Sequence, residues 1–88
     1  MNKRYNLPVA IHVGELIREW LDENNMSDKE FALRTGKSEK MISNILNGKS
    51  GITKVTAQAF EIATGISADY FLRFQASYND TIARLKNR

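Results

Sequence analysis

Between Ser27 and Gly48 the chain starts and stops a helix twice, and this punctuation limits the fold more than any other feature. Ser27-Asp28-Lys29-Glu30 has the S-x-x-E form of a capping box, with Ser27 serving the free amide of Glu30 and Glu30 reaching back to the Ser27 amide. Gly36 stops the helix begun there after about two turns, because glycine takes a positive φ without steric cost. Ser38 is a fresh N-cap, and Met41, Ile42, Ile45 and Leu46 make the apolar stripe of a further helix that ends at Asn47-Gly48. Two short helices joined by a tight glycine-containing turn form a helix-turn-helix, the motif that lays its second helix in the major groove of DNA. Ala32 is small where the two helices must approach, and Ile42 and Ile45 point into the crossing.

Three more helices flank the pair. Leu16, Ile17, Trp20 and Leu21 give a stretch from about Gly14 to Asn24 one apolar stripe, ended by Asn24-Asn25. Thr53 caps a helix carrying Val55, Ala59, Phe60, Ile62 and Ala63, which all count as its apolar set, with Gly65 as its stop. Ser67 caps the last, and Phe71, Phe74, Tyr78, Ile82 and Leu85 keep a 3-4 spacing far down the tail, so this helix is expected to outrun the core. The run Val9-Ala10-Ile11-His12-Val13 could be a strand, but is too short and isolated to stand alone. The expected fold is therefore all-α, five helices in one domain over residues 1–88, with a basic arm at 1–11 and a helical tail at 77–88. At 88 residues the chain is too short for two cores, and a domain of this size gains from a second subunit that covers more apolar surface.

Charge is unevenly placed. Residues 15–30 hold six acids against Arg18 and Lys29, a net of −4, while residues 31–54 hold five cations against Glu39 alone, a net of +4. A polyanion prefers the second segment. Within it Lys40, Ser43, Asn44 and Asn47 share the helix face opposite the apolar stripe. Asn can bond an adenine edge with two hydrogen bonds, Lys can reach guanine or phosphate, and short side chains let the backbone come close. The competing reading is an ordinary solvated helix face. With the helix-turn-helix spacing and the local charge beside it, the expected partner is double-stranded DNA. Lys40, Ser43 and Asn44 are the candidates to read bases; Ser38 and Lys49, with Arg34, Lys37 and Asn47 as lesser candidates, would hold phosphates.

The motif resembles a lambda-repressor-like (Xre) helix-turn-helix. More narrowly, His12-Val13-Gly14-Glu15-Leu16-Ile17-Arg18-Glu19 and Ile42-Ser43-Asn44-Ile45-Leu46-Asn47-Gly48-Lys49-Ser50-Gly51-Ile52-Thr53 are similar to HigA/VapI-type antitoxins. The likeness continues through Thr56-Ala57, Tyr70-Phe71-Leu72, Phe74-Gln75-Ala76 and Tyr78. It implies a DNA-binding homodimer on a palindromic operator, which represses its own operon and neutralises a HigB-type toxin that cuts messenger RNA on the ribosome. Members of that family usually carry proline after the histidine and hydrophobic residues beside the corner glycine; here Val13, Thr35 and Lys37 stand there, and a looser turn is expected. They usually start the second helix with a phosphate-gripping glutamine, where this chain has Asp28. A carboxylate there repels a phosphate unless it is turned away or paired, and it also suits the positive end of the helix dipole.

Enzymatic readings find little support. The lone His12 has no cysteine or clustered carboxylate to form a metal site with, and fits packing or capping at a helix start. No base stands beside a nucleophile, and no glycine-rich phosphate loop is present, so no cofactor or catalysis is expected. No cysteine, no apolar run of ~20 residues and no signal-peptide core occur, which points to a cytoplasmic protein with no membrane partner. Phe74, Tyr78, Ile82 and Leu85 are the candidate homodimer surface; folding back onto Trp20 and the first helix is the other use for that stripe. The rival function is a protein-interaction module, or a solitary Xre-type regulator, with weak DNA binding and no toxin, which Asp28 and the acidic first helix favour.

Overall fold

A computed structural model of the chain describes residues 10–87 and forms them into α1 (Val13–Glu23), α2 (Asp28–Thr35), α3 (Glu39–Leu46), α4 (Lys54–Thr64) and α5 (Ala68–Lys86), with no strand among the described residues. A side chain starts each helix. His12 Nδ1 accepts the Gly14 N–H at 2.9 Å, and Ser27, Ser38, Thr53 and Ser67 accept from Glu30, Met41, Thr56 and Tyr70 at 3.0–3.2 Å. Such caps satisfy amides that have no partner inside the helix and stabilise each start by about 1 kcal/mol. The apolar run that could have been a strand opens α1 at Val13 instead, where the side chain is fully buried; Val9 lies outside the described residues.

The corner between α2 and α3 is tight, not loose. Gly36 sits at φ 72°, its N–H bonds the Leu33 carbonyl at 3.3 Å, and the Lys37 N–H bonds the Ala32 carbonyl at 3.0 Å. This is a Schellman turn, which any residue with a Cβ would strain. Thr35 is buried beside it without penalty because its hydroxyl donates to the Phe31 and Ala32 carbonyls at 2.8 and 3.2 Å. One half of the expected capping box does not form: Ser27 caps Glu30, but the Glu30 carboxylate turns to Arg34, one helical turn along, at 2.7 Å. An i,i+4 ion pair competes for the same carboxylate and wins here.

One core joins all five helices. Val13, Ile17 and Leu21 of α1 meet Phe31 of α2, Ile42 and Ile45 of α3, Phe60 of α4 and Phe71 of α5, each at most 1% exposed. The rings form a chain, Trp20 to Phe31, Phe31 to Phe60 and Phe60 to Phe71, with centroids 6.3, 5.0 and 6.0 Å apart. Phe60 must reach both neighbours, and that sets the rotation of α4. Val55 and Ile62, two of the apolar residues this helix carries, are consequently turned outward, 66% and 86% exposed. The last helix does outrun the core: among the described residues beyond Tyr78 only Thr81 and Ile82 are half-buried, and Leu85 is 39% exposed.

The first turn of α1 comes very close to the end of α3. Gly14 is buried, and a Cβ built on it collides with the backbone carbonyl of Ile45, an atom that cannot swing aside. The missing side chain is what lets the first turn of α1 lie directly on α3. Gly14→Ala should therefore cost about 1–3 kcal/mol, the range for overpacking a core, which in a domain of this size lowers Tm by roughly 4–20 °C in a thermal melt.

Candidate nucleic-acid interface

With Ile42, Ile45 and Leu46 buried, α3 has only one face left to present. Lys40 and Asn47 are exposed on it, and Ser43 and Asn44 are half-exposed between them. Asn47 Nδ2 donates to Ser43 Oγ at 3.2 Å, so these two side chains hold each other. The Asn44 amide has no hydrogen-bond partner among the described residues, and both its donor and its acceptor remain available. Ser38 stands at the start of the helix; its Oγ accepts from Met41, and its own hydroxyl proton is free to donate outward. Lys49 stands at the other end, its amide bonded to the Asn44 carbonyl at 2.8 Å and its side chain exposed. Six of the eight residues singled out from the sequence, Ser38, Lys40, Ser43, Asn44, Asn47 and Lys49, thus lie on or at the ends of α3.

The other two differ. Lys37 is half-buried in the corner, in a shallow concavity it shares with Lys29, Ala32, Leu33 and Glu39. Arg34 is occupied, its Nη2 and Nε both on Glu30 Oε2 at 2.7 and 3.0 Å. That pair is exposed and worth only a few tenths of a kcal/mol, so it holds the guanidinium weakly. Asp28 is also paired: Arg18 Nη1 reaches across from α1 to its Oδ1 at 3.1 Å. The carboxylate at the start of α2 is therefore partly neutralised, which the sequence did not indicate because the partner lies on another helix.

The loop after α3 shows a contact that residue patterns alone missed. The Gln75 amide of α5 accepts the Ile52 N–H at 2.6 Å and donates to the Ile52 carbonyl at 2.7 Å. His12 closes the other side of this region, with its ring edge-on to Tyr78 at 5.0 Å and its Cγ close to Gly48. The only sequence signal for Gln75 was its place within the stretch that resembles a known family.

The acids of α1 lie elsewhere. Glu15, Glu19, Asp22 and Glu23 rim a concavity floored by Ile11, Leu16, Tyr70 and Phe74, with Arg18 at its edge. Of the four tail residues, Phe74 packs against the core and Tyr78 against His12, Ile82 is half-buried and Leu85 is exposed. The front of that stripe does lie on the first helix, Phe74 beside Leu16 and Tyr78 on His12, whereas the ring that Trp20 meets is Phe31 of α2. No group of three or more His, Cys, Asp or Glu that could hold a metal occurs among the described residues, and none of their helices is long and apolar enough to cross a membrane.

The family model of HTH_3, helix-turn-helix, matches residues 17–71, more than half of the chain. The chain belongs to the helix-turn-helix family. An uncharacterized HTH-type transcriptional regulator of Escherichia coli K12, YddM, is 32% identical over 66 residues, 75% of this chain and 70% of that protein. Among solved structures, Pseudomonas aeruginosa antitoxin HigA with the higBA promoter is 26% identical with a TM-score of 0.85, covering 90% of this chain and 87% of that one. An addiction module antidote protein of the HigA family from Coxiella burnetii is 28% identical with a TM-score of 0.82, covering 88% and 85%. The resemblance carried by His12–Glu19 and Ile42–Thr53 thus holds at the level of family and of HigA-type structural neighbours, and the fold is that of a DNA-binding helix-turn-helix transcription regulator.

Because Asp28 is held by Arg18 at the edge of the α2 start, Asp28→Gln removes one negative charge and frees one positive one. Affinity for duplex DNA should rise, and the log–log salt slope should steepen by up to about one unit as a phosphate contact is gained. Fluorescence anisotropy between low and moderate salt measures both. An unchanged slope would place this helix start away from the DNA.

Proposed function

We propose that the protein is a homodimeric transcription repressor that reads a palindromic operator with α3, and that it is the antitoxin of a HigBA-type module. The observation that carries the DNA reading is the composition of the one face α3 leaves open: Lys40, Ser43 and Asn44 side by side, with the exposed Ser38 at one end and the exposed Lys49 at the other. In this reading α3 enters the major groove, Asn44 pairs with an adenine edge, and Lys40 reaches guanine O6 and N7. Ser38 and Lys49 bind phosphates on either side; Asn47, Lys37 and Arg34 add weaker contacts once Arg34 leaves Glu30. Repression is steric, since a dimer lying across its operator blocks the polymerase, and the protein would act in the cytoplasm beside its DNA. Neutralisation of a HigB-type messenger-RNA endonuclease, and repression of the shared operon, are supported by the kinship with HigA-type antitoxins.

Dimerisation is assigned to the tail, with Ile82 and Leu85 presenting apolar surface beyond the core and Phe74 and Tyr78 anchoring the helix that carries them. A two-fold dimer sets its recognition helices about 34–36 Å apart, one turn of the double helix. A second reading, a protein-interaction module, is favoured by the acid-rimmed apolar concavity between α1 and α5, which suits a basic partner. The two readings separate by salt dependence on the DNA upstream of the gene, since phosphate contacts release counterions.

Two sets of variants test this proposal. Asn44→Ala should cost about 1–3 kcal/mol on the operator and relax one base position, whereas Lys49→Ala should weaken binding to every sequence and lower the salt slope by about one unit. Equal, sequence-independent losses in both would remove base reading from Asn44. Deleting residues 77–88 should give a folded monomer that has lost operator affinity, checked by light scattering and circular dichroism. A truncated chain that is still dimeric at micromolar concentration would move the interface to the N-terminal arm or to α4, where Val55 and Ile62 are turned outward.

A further inference from the structure

The bond pair between Gln75 and Ile52 spans 23 positions of sequence and matches donor to acceptor in both directions, as a rung of a β-ladder does. Gly51, next to it, is part of the fit: a Cβ there runs into the Gln75 Oε1, so the amide lies flat against bare backbone. Ile52 anchors the same point from its other side, with a side chain only 5% exposed. Upstream, the Lys49 amide is tied to the Asn44 carbonyl at 2.8 Å. The loop leaving α3 is thus held at Lys49 and again at Ile52, with only Ser50 and Gly51 between.

We propose that Gln75 is a positioning residue for DNA binding: by clamping Ile52 it fixes in advance the loop that presents Lys49 to the phosphate backbone, and it joins that loop to α5. The inference rests on the DNA-binding reading above. Its physical basis is preorganisation. A loop that must be ordered during binding loses conformational freedom at that moment, and one already ordered by the fold does not. Gln75 adjoins Phe74 and lies less than one turn from Tyr78, so the same helix carries the clamp and the assigned dimer surface. The clamp therefore sets Lys49 relative to the rest of the dimer as well as to α3.

The test is a double-mutant cycle between Gln75→Met, which keeps length and loses both hydrogen bonds, and Lys49→Ala, read as affinity for a duplex of the DNA upstream of the gene. Binding is measured well below the Tm of every variant, so that a loss of stability alone leaves affinity unmoved. Gln75→Met should weaken binding about tenfold in the otherwise native chain and less than about twofold in the Lys49→Ala background, since coupled residues are non-additive. Gly51→Ala, which displaces the amide sterically, should reproduce the loss. If Gln75→Met binds as tightly as the native chain, or its loss adds fully to that of Lys49→Ala, the positioning role is overturned while DNA binding stands. If the native chain shows no salt-dependent DNA binding, the DNA reading falls and the inference falls with it. Should Gln75→Met not fold, hydrogen exchange on the native chain decides: the Ile52 amide must be protected relative to Ser50, and exchange at the Ser50 rate would contradict the clamp.

Discussion

The first turn of α1 lies against the last turn of α3, and the exposed chemistry of the molecule follows from that contact. Because Gly14 has no side chain, α1 can rest on the Ile45 carbonyl, and Val13 and Ile17 can then enter the same core as Ile42 and Ile45. A helix of eight residues has little stability alone, so α3 exists through this packing and through the Schellman corner that joins it to α2. Burying Ile42, Ile45 and Leu46 leaves its orientation no freedom. Lys40, Ser43 and Asn44 face outward because the apolar face has only one place to go.

Charge arrangement adds to this geometry. A net charge of +3 is too small to attract a polyanion strongly to the chain as a whole. What matters is that acids and bases sit on different surfaces. The carboxylates of α1 gather around the concavity beside Tyr70 and Phe74, whereas the cations cluster at the corner, on α3 and in the loop after it. Two acids on α2 are matched locally, Asp28 by Arg18 and Glu30 by Arg34, so the start of the helix-turn-helix offers less repulsion than its sequence suggests. These pairs are exposed and add little stability; their effect is on which charges remain open to a ligand.

Elements with short-range causes were legible in the sequence. Ser27, Ser38, Thr53 and Ser67 cap helices within three residues of themselves, and Gly36, Gly48 and Gly65 take the left-handed conformation next to the last turns they close. The outer face of α3 was legible too, since a stripe of Met41, Ile42, Ile45 and Leu46 fixes its complement on an eight-residue helix. Features that depend on distant partners were not. Val55 and Ile62 look as apolar as Phe60, and only the need of Phe60 to meet Phe31 and Phe71 turns them out. Glu30 had two local partners to choose from, Arg18 lies ten residues from Asp28, and Gln75 finds Ile52 from another helix. A glutamine in an amphipathic helix carries no mark that distinguishes a clamp from a solvated side chain.

The central claim is that the open face of α3, with the loop clamped behind it, is the DNA-contacting surface. Amide chemical-shift mapping of the isotope-labelled protein, titrated with a duplex of the DNA upstream of its gene, tests it most directly. The account predicts the largest shifts from Ser38 through Ser50, including the Asn44 side-chain amide, and small ones at Glu19, Asp22 and Glu23 on the acidic rim of α1. Shifts concentrated on α1 and the first turns of α5, with α3 unmoved, would contradict it.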